Sequence, residues 1–110
     1  MENGLSGRYI GVMRRNETIA KLKATEPALR DLGVAGLYLF GSHARDEAGA
    51  DSDVDVFIDP TPDQSFGFLS YMDALDALRG SVGDNVDYGT RNGLHPLLRS
   101  EIEREAIRIF

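Results

Sequence analysis

Apolar positions in this chain change their period several times, and each change marks an element. From Arg14 or Asn16 the pattern is helical: Ile19, Leu22, Ala28, Leu29 and Leu32 form one stripe, while Arg15, Lys21, Lys23 and Glu26 face water. Pro27 interrupts this stripe, because proline lacks a backbone donor and clashes with the preceding turn; a kink or two short helices is expected, with Gly33 as the stop. Leu37 to Phe40 is then a continuous β-prone run, as expected for a strand buried on both faces. Gly41 allows a sharp turn, and Ser42 to about Glu47 favours a helical turn. A second apolar run, Val54 to Ile58, is entered through Ser52-Asp53-Val54-Asp55. Strand alternation puts Asp53 and Asp55 on one face and Val54, Val56 and Ile58 on the other.

Pro60-Thr61-Pro62 ends that strand, and Asp63 or Ser65 can cap a helix running to about Arg79. Its Phe68, Met72, Leu75 and Leu78 recur at helical spacing and are expected to pack on a sheet; Gly80 and Gly83 end it. Asn85 to Gly89 predicts a short strand, with Asp87 pointing opposite to Val86 and Tyr88. Leu94, Leu98, Ile102 and Ala106 predict a closing helix with Pro96 in its first turn, and the alternation from Ile107 to Phe110 leaves a terminal strand open. Residues 1–13 hold three glycines and no clear period, and are expected to form a flexible or weakly docked extension to a domain over 14–110.

Composition narrows the possible functions. At 110 residues one small core is expected, with little room for a separate substrate-binding domain. The absence of cysteine excludes disulfides, zinc-thiolate sites and cysteine nucleophiles, and it fits a reducing cytoplasm. No apolar run approaches a membrane span, and no secretion signal is legible. A net charge of −6 argues against tight non-specific binding of nucleic acid, which needs clustered Lys and Arg.

The chemistry concentrates between Gly41 and Asp55. A glycine turn opening a helical turn leaves backbone N–H groups free at Ser42, which is a phosphate cradle. Asp53 and Asp55, side by side on one strand face, repel unless something neutralises them, and Mg²⁺ is suited to that because it takes oxygen ligands, typically one or two carboxylates plus phosphate oxygens and water. A calcium loop starting at Asp51 fails, since its sixth position is Val56 instead of Gly and its twelfth is Pro62 instead of Glu. Gly-Ser turns are common in loops of no function, and a pair of aspartates also suits a solvated strand edge. The joint occurrence of an apolar strand, Gly41-Ser42, a ten-residue spacer from His43 to Ser52, and Asp53-x-Asp55 opening a second strand goes beyond either reading.

The segment Gly41-Ser42-x-Ala44-Arg45 followed by Ser52-Asp53-x-Asp55 resembles the signature of the minimal nucleotidyltransferases, the smallest members of the DNA polymerase β-like superfamily. Val86-Asp87-Tyr88, then Leu94 to Ile102 and Glu105-Ala106-Ile107, resemble the ending common in that group, so the likeness covers about residues 15 to 110. It implies an α+β fold, a small mixed sheet with helices packed on one face. It also implies roles. Asp53 and Asp55 would hold two Mg²⁺ ions, and Asp87, otherwise an ordinary edge residue, would be the third carboxylate, binding the second ion and helping to accept the attacking hydroxyl's proton. Gly41, Ser42, Arg45 and Ser52 would bind the nucleotide, Arg45 pairing with a phosphate or, alternatively, with Asp51 or Asp46 at the surface. Neither His43, beside the phosphate turn, nor His95 is given a catalytic role.

With no obvious acceptor domain, an acceptor that brings its own binding surface fits best. Among minimal nucleotidyltransferases many are antitoxins paired with HEPN-domain ribonucleases, and some transfer AMP from ATP to the toxin. The resemblance therefore implies an adenylyltransferase antitoxin acting on a HEPN-domain partner as a hetero-oligomer in the cytoplasm. The intact motif favours catalysis, against two alternatives: a non-catalytic binding antitoxin, and a small-molecule nucleotidyltransferase of the aminoglycoside-modifying kind that works with a helical partner subunit.

Overall fold

A computed structural model describes residues 13–62 and 66–110. Two short helices, α1 (Arg15–Lys23) and α2 (Glu26–Asp31), lead into β1 (Val34–Phe40). A four-residue helix α3 (Gly41–Ala44) and a loop connect β1 to β2 (Val54–Pro60). Helix α4 (Phe68–Val82), β3 (Val86–Thr90), a 3-10 turn (Arg91–Gly93), α5 (Arg99–Glu105) and β4 (Ile107–Arg108) complete the order. The four strands form one mixed sheet in the order β3-β2-β1-β4, with β1 antiparallel to β2 and β4, and β2 parallel to β3. This is the α+β architecture expected.

The sequence explains most boundaries. Pro27 divides the first helical pattern in two, and Gly33, at φ 100°, stops it. Register pairs Leu37 with Ile58 and Leu39 with Val56, so these residues share a face, and together with Val54 they form one buried cluster with Leu22, Leu29, Ala74 and Leu78. Each large aliphatic side chain buried there contributes roughly 2–3 kcal/mol before entropy is counted. Tyr71 of α4 lies 4.6 Å from Tyr88 of β3, centroid to centroid, and each hydroxyl donates to the other's carbonyl, which docks α4 on β3.

On the opposite face Tyr38 stacks on Phe57 (4.8 Å, 8° between planes). Arg91 lies over both rings at 4.8 and 4.9 Å, while its Nε and Nη2 donate to Asp59 (2.9 and 2.8 Å) and its Nη1 to Glu103 (2.8 Å). One guanidinium thus ties α5 to β2.

Several expectations need correction. β1 is not evenly buried on both faces: Leu37 and Leu39 are fully buried, but Tyr38 and Phe40 are half-buried, Tyr38 lying under Arg91 and Arg108. Asp63 and Ser65 lie outside the described residues; α4 starts at Phe68 after Gly67. Of the expected stripe Leu78 is fully buried, beside Ala74, and Met72 and Leu75 are half-buried, but Phe68 at the helix start is 74% exposed. Helix α4 passes through Gly80 and stops only at Gly83, whose φ is 101°. Pro96 sits in a turn closed by Leu98 N–H donating to the His95 carbonyl (2.9 Å), so the closing helix starts at Arg99 and gives way to strand β4. Of the expected extension only Met13 is described, and it packs against the core. No helix among the described residues is long and apolar enough to cross a membrane.

Candidate active site

Strand register assembles the acidic centre. The antiparallel β1–β2 pair sets Phe40 opposite Asp55, and the parallel β2–β3 pair sets Asp87 opposite Asp55. Asp55 therefore stands in the middle, with the Gly41 turn on its β1 side and Asp87 on its β3 side. Gly41 is required twice over: its φ is 75°, which disfavours any side chain, and a Cβ there would overlap Oδ2 of Asp55.

The centre is electrostatically loaded. The Asp55 carboxyl is pushed up to about 6, first by burial, then by the charges of Asp87 and Asp53 and by a hydrogen bond with Asp87; Arg45 pulls weakly the other way. Neighbouring carboxylates repel one another, and a proton or a cation relieves that repulsion. Among the described residues no three His, Cys, Asp or Glu side chains form a ready metal-holding group. The charges of Asp87 and Asp53 nevertheless act on Asp55, because charge reaches further than coordination. An oxygen-only set that carries excess negative charge fits a hard divalent cation such as Mg²⁺.

Arg45 is not committed to Asp46 or Asp51. Its Nε donates to Glu47 (3.0 Å) and its Nη1 to Glu105 (2.8 Å), while Asp46, at φ 60°, accepts from the Arg15 N–H (2.9 Å) at the start of α1. Glu105 also accepts from the Gly41 N–H through its second oxygen (2.9 Å). Burial pushes the Glu105 carboxyl up, but the Gly41 amide and the Arg45 guanidinium outweigh it and the net shift is downward. Arg45 is shifted upward in turn, by its hydrogen bonds to Glu105 and Glu47.

Ser42 is half-buried at the start of α3, where a helix offers its first N–H groups no partner of its own. Ser52 closes the following loop: its Oγ accepts from the Gly49 N–H (2.9 Å), which shapes the turn delivering Asp53. His43 is 3% exposed and points into the core. There its Nδ1 shares a hydrogen bond with the Thr18 hydroxyl (3.0 Å), which also lies within reach of the Arg14 carbonyl (3.2 Å). His95 is exposed, its Nδ1 accepting from the Leu97 N–H (3.2 Å). One open cavity borders Asp87 and a second borders Arg45 and Glu105. The first, of about 310 Å³, is walled by Asp87, Phe40, Leu94, His95 and Leu98. The other, of about 380 Å³, lies between Arg45 and α5.

The fold places Gly41, Asp55 and Asp87 side by side, and it also gives Glu105 and Arg91 contacts that the sequence did not announce. Glu105 stood in the recognisable ending without a role; nothing in its spacing announces a partner 64 residues away. Arg91 follows a strand and reads as a surface cation.

Comparison with known proteins gives the following. The family model described as nucleotidyltransferase domain matches residues 22–109. "Putative protein adenylyltransferase MJ0435" of Methanocaldococcus jannaschii is 34% identical over 84 residues, 76% of this chain and 88% of that protein. "Putative protein adenylyltransferase MJ1217" of the same organism is 29% identical over 99 residues, 89% and 91% of the two chains. A solved structure described as "putative minimal nucleotidyltransferase" superposes with a TM-score of 0.72 at 32% identity, covering 87% of this chain and 96% of that one. A structure described as "toxin-antitoxin with AMP-PNP" superposes with a TM-score of 0.60 over 89% of this chain and 73% of that one; at 17% identity the likeness is one of fold.

Proposed function

Because this chain belongs to the nucleotidyltransferase domain family and is a nucleotidyltransferase, we propose that it is a Mg²⁺-dependent protein adenylyltransferase. It transfers AMP from ATP to a hydroxyl of a partner protein, and acts in the cytoplasm as an antitoxin that silences a HEPN-family toxin in a hetero-oligomer. The observation that carries this reading is the placement of Asp55 between the Gly41 turn and Asp87 on three adjacent strands. Relatives named as protein adenylyltransferases support a protein as acceptor. The toxin–antitoxin structure with its adenine nucleotide analogue supports the partner and the nucleotide class.

The strand order is compatible with one direction for the reaction. The β- and γ-phosphates lie at Gly41 and Ser42 on the β1 side, with Arg45 beside them and Ser52 fixing the loop that delivers Asp53. The α-phosphate lies at Asp53 and Asp55, and the acceptor arrives on the β3 side at Asp87. Nucleophile and leaving group are then on opposite sides of the α-phosphorus, as in-line displacement requires. The acceptor oxygen forms a bond to that phosphorus as the bond to the bridging oxygen of pyrophosphate breaks. Pyrophosphate leaves on the Ser42 side, and the acceptor's proton passes to Asp87. Asp53, Asp55 and Asp87 would hold two Mg²⁺ ions, which supply neutralisation of phosphate charge and a more acidic attacking hydroxyl.

The test is incubation of the full chain with Mg²⁺, ATP radiolabelled at the α-phosphate and the protein encoded beside it. Label on that protein, absent with Asp87→Asn, is expected. Label confined to a small-molecule product would move the reading to a small-molecule transferase, and no label with retained inhibition would make the chain a binding antitoxin.

A further inference from the structure

We propose that Glu105 is a positioning residue for the transfer reaction, holding the phosphate-binding turn against the acidic centre. The inference rests on the transferase reading above and assigns a function to a side chain outside the carboxylate trio. Its two oxygens are used separately. Oε2 accepts from the Gly41 N–H at 2.9 Å, and Oε1 accepts from Arg45 Nη1 at 2.8 Å. Gly41 is the first residue of α3 and Arg45 its C-cap, so one carboxylate spans both ends of the four-residue helix.

What that helix touches gives the contact its consequence. The α-carbon of Gly41 lies so close to Oδ2 of Asp55 that no Cβ fits between them. Asp55 in turn stands opposite Asp87 in the parallel β2–β3 pair. A displacement of the turn is therefore passed directly to the carboxyl pair that the reaction uses. The anchor itself is well fixed: Glu105 ends α5, β4 follows two residues later and pairs Ile107 with Leu39 and Arg108 with Tyr38, and Glu103 on the same helix is bound by Arg91.

Magnitudes separate this role from a purely structural one. A partly exposed ion pair contributes little to stability. A misplacement of reacting groups by about 1 Å, by contrast, costs on the order of a hundredfold in rate. Removing Glu105 is thus expected to cost far more turnover than stability.

The experiment compares Glu105→Gln, Glu105→Ala and, as control, Glu47→Gln, which removes the other carboxylate on Arg45 without touching Gly41. Turnover at saturating ATP, thermal midpoint and exchange of the Gly41 amide with deuterium are read for each full-length chain. Glu105→Ala is expected to lose on the order of 30- to 100-fold in turnover while staying folded, with faster Gly41 exchange. Glu105→Gln, whose single carbonyl oxygen can accept only one of the two bonds well, is expected to fall between it and the parent. Glu47→Gln is expected to stay within about twofold. Unchanged turnover or unchanged Gly41 exchange in Glu105→Ala overturns the proposal, as does a loss no larger than the unfolded fraction explains. Tighter ATP binding by Glu105→Ala also overturns it, since Glu105 would then be competing with phosphate. A parent chain that transfers nothing sinks the transferase reading and this role with it; a parent and Glu105→Ala that transfer equally sink this role alone.

Discussion

Gly41 presses its α-carbon against the Asp55 carboxylate, in a backbone conformation with φ 75° that leaves no room for even a methyl group. Gly41→Ala therefore carries two costs: a left-handed conformation unsuited to alanine, of about 1 kcal/mol or more, and displacement of Asp55. A stability loss of about 1–3 kcal/mol is expected in urea unfolding, with turnover reduced on the order of a hundredfold or more. Full activity in Gly41→Ala would mean that the turn does not set the position of Asp55.

Asp55 makes stability depend on pH in an unusual direction. Its carboxyl is raised from 3.8 to about 6 in the fold by burial and by Asp87 and Asp53, so between these values the folded state holds a proton that the unfolded chain has released. The contribution of this proton is fully present below about pH 4 and is lost as pH rises through about 6. Above that, the folded protein carries the repulsion. Asp55→Asn is expected to raise stability at pH 7 by about 1 kcal/mol, a value discounted for the partial exposure of the site, while abolishing transfer. Urea unfolding of parent and Asp55→Asn at pH 4, 5 and 7 checks this, and a gain that is the same at all three would refute the assignment.

The same repulsion predicts that divalent cations stabilise the fold. Binding at 10–100 times the dissociation constant adds about 1.4–2.7 kcal/mol. Because the ligands must be ionised, the gain should shrink as pH falls below about 6, where Asp55 takes up its proton. Thermal midpoints with and without Mg²⁺ at pH 5 and 7.5 measure it. A gain that is independent of pH would place the ion away from Asp55.

The parts of the site that were legible in the sequence are those built from local pattern. Gly41 and Ser42 closing an apolar run, and Asp53 and Asp55 alternating into the next, fix their own neighbourhood because strand periodicity is a local rule. The division of the first helix at Pro27 was legible for the same reason. Phe68 misled because helical spacing identifies a stripe but not how far along it the packing extends; Leu78 of the same stripe is buried with Ala74, while Phe68 at the helix start is exposed. Asp87 lay beyond local pattern, since an exposed acidic residue in a short strand has no periodic signature, and only pairing with Asp55 gives it meaning. Glu105 and Arg91 were illegible for a stronger reason: their partners are set by the way the C-terminal segment crosses the sheet, which depends on every element before it.

Arg91 tests that crossing. Its guanidinium donates twice to Asp59 and once to Glu103 while covering Tyr38 and Phe57, and all of these uses depend on a flat, forked cation. Lysine keeps the charge but cannot make the paired bonds to Asp59 and still reach Glu103, so Arg91→Lys is expected to cost about 1–2 kcal/mol in urea unfolding. The cost should overlap with that of Glu103→Gln: the double variant should be less destabilised than the two single variants added together, because both break the same bond. Strict additivity would show that Arg91 and Glu103 act independently and that α5 is held over the sheet by something else. Since α5 carries Glu105, Arg91→Lys should also reduce turnover by more than its effect on stability, and parent-like turnover would uncouple the helix from the reaction.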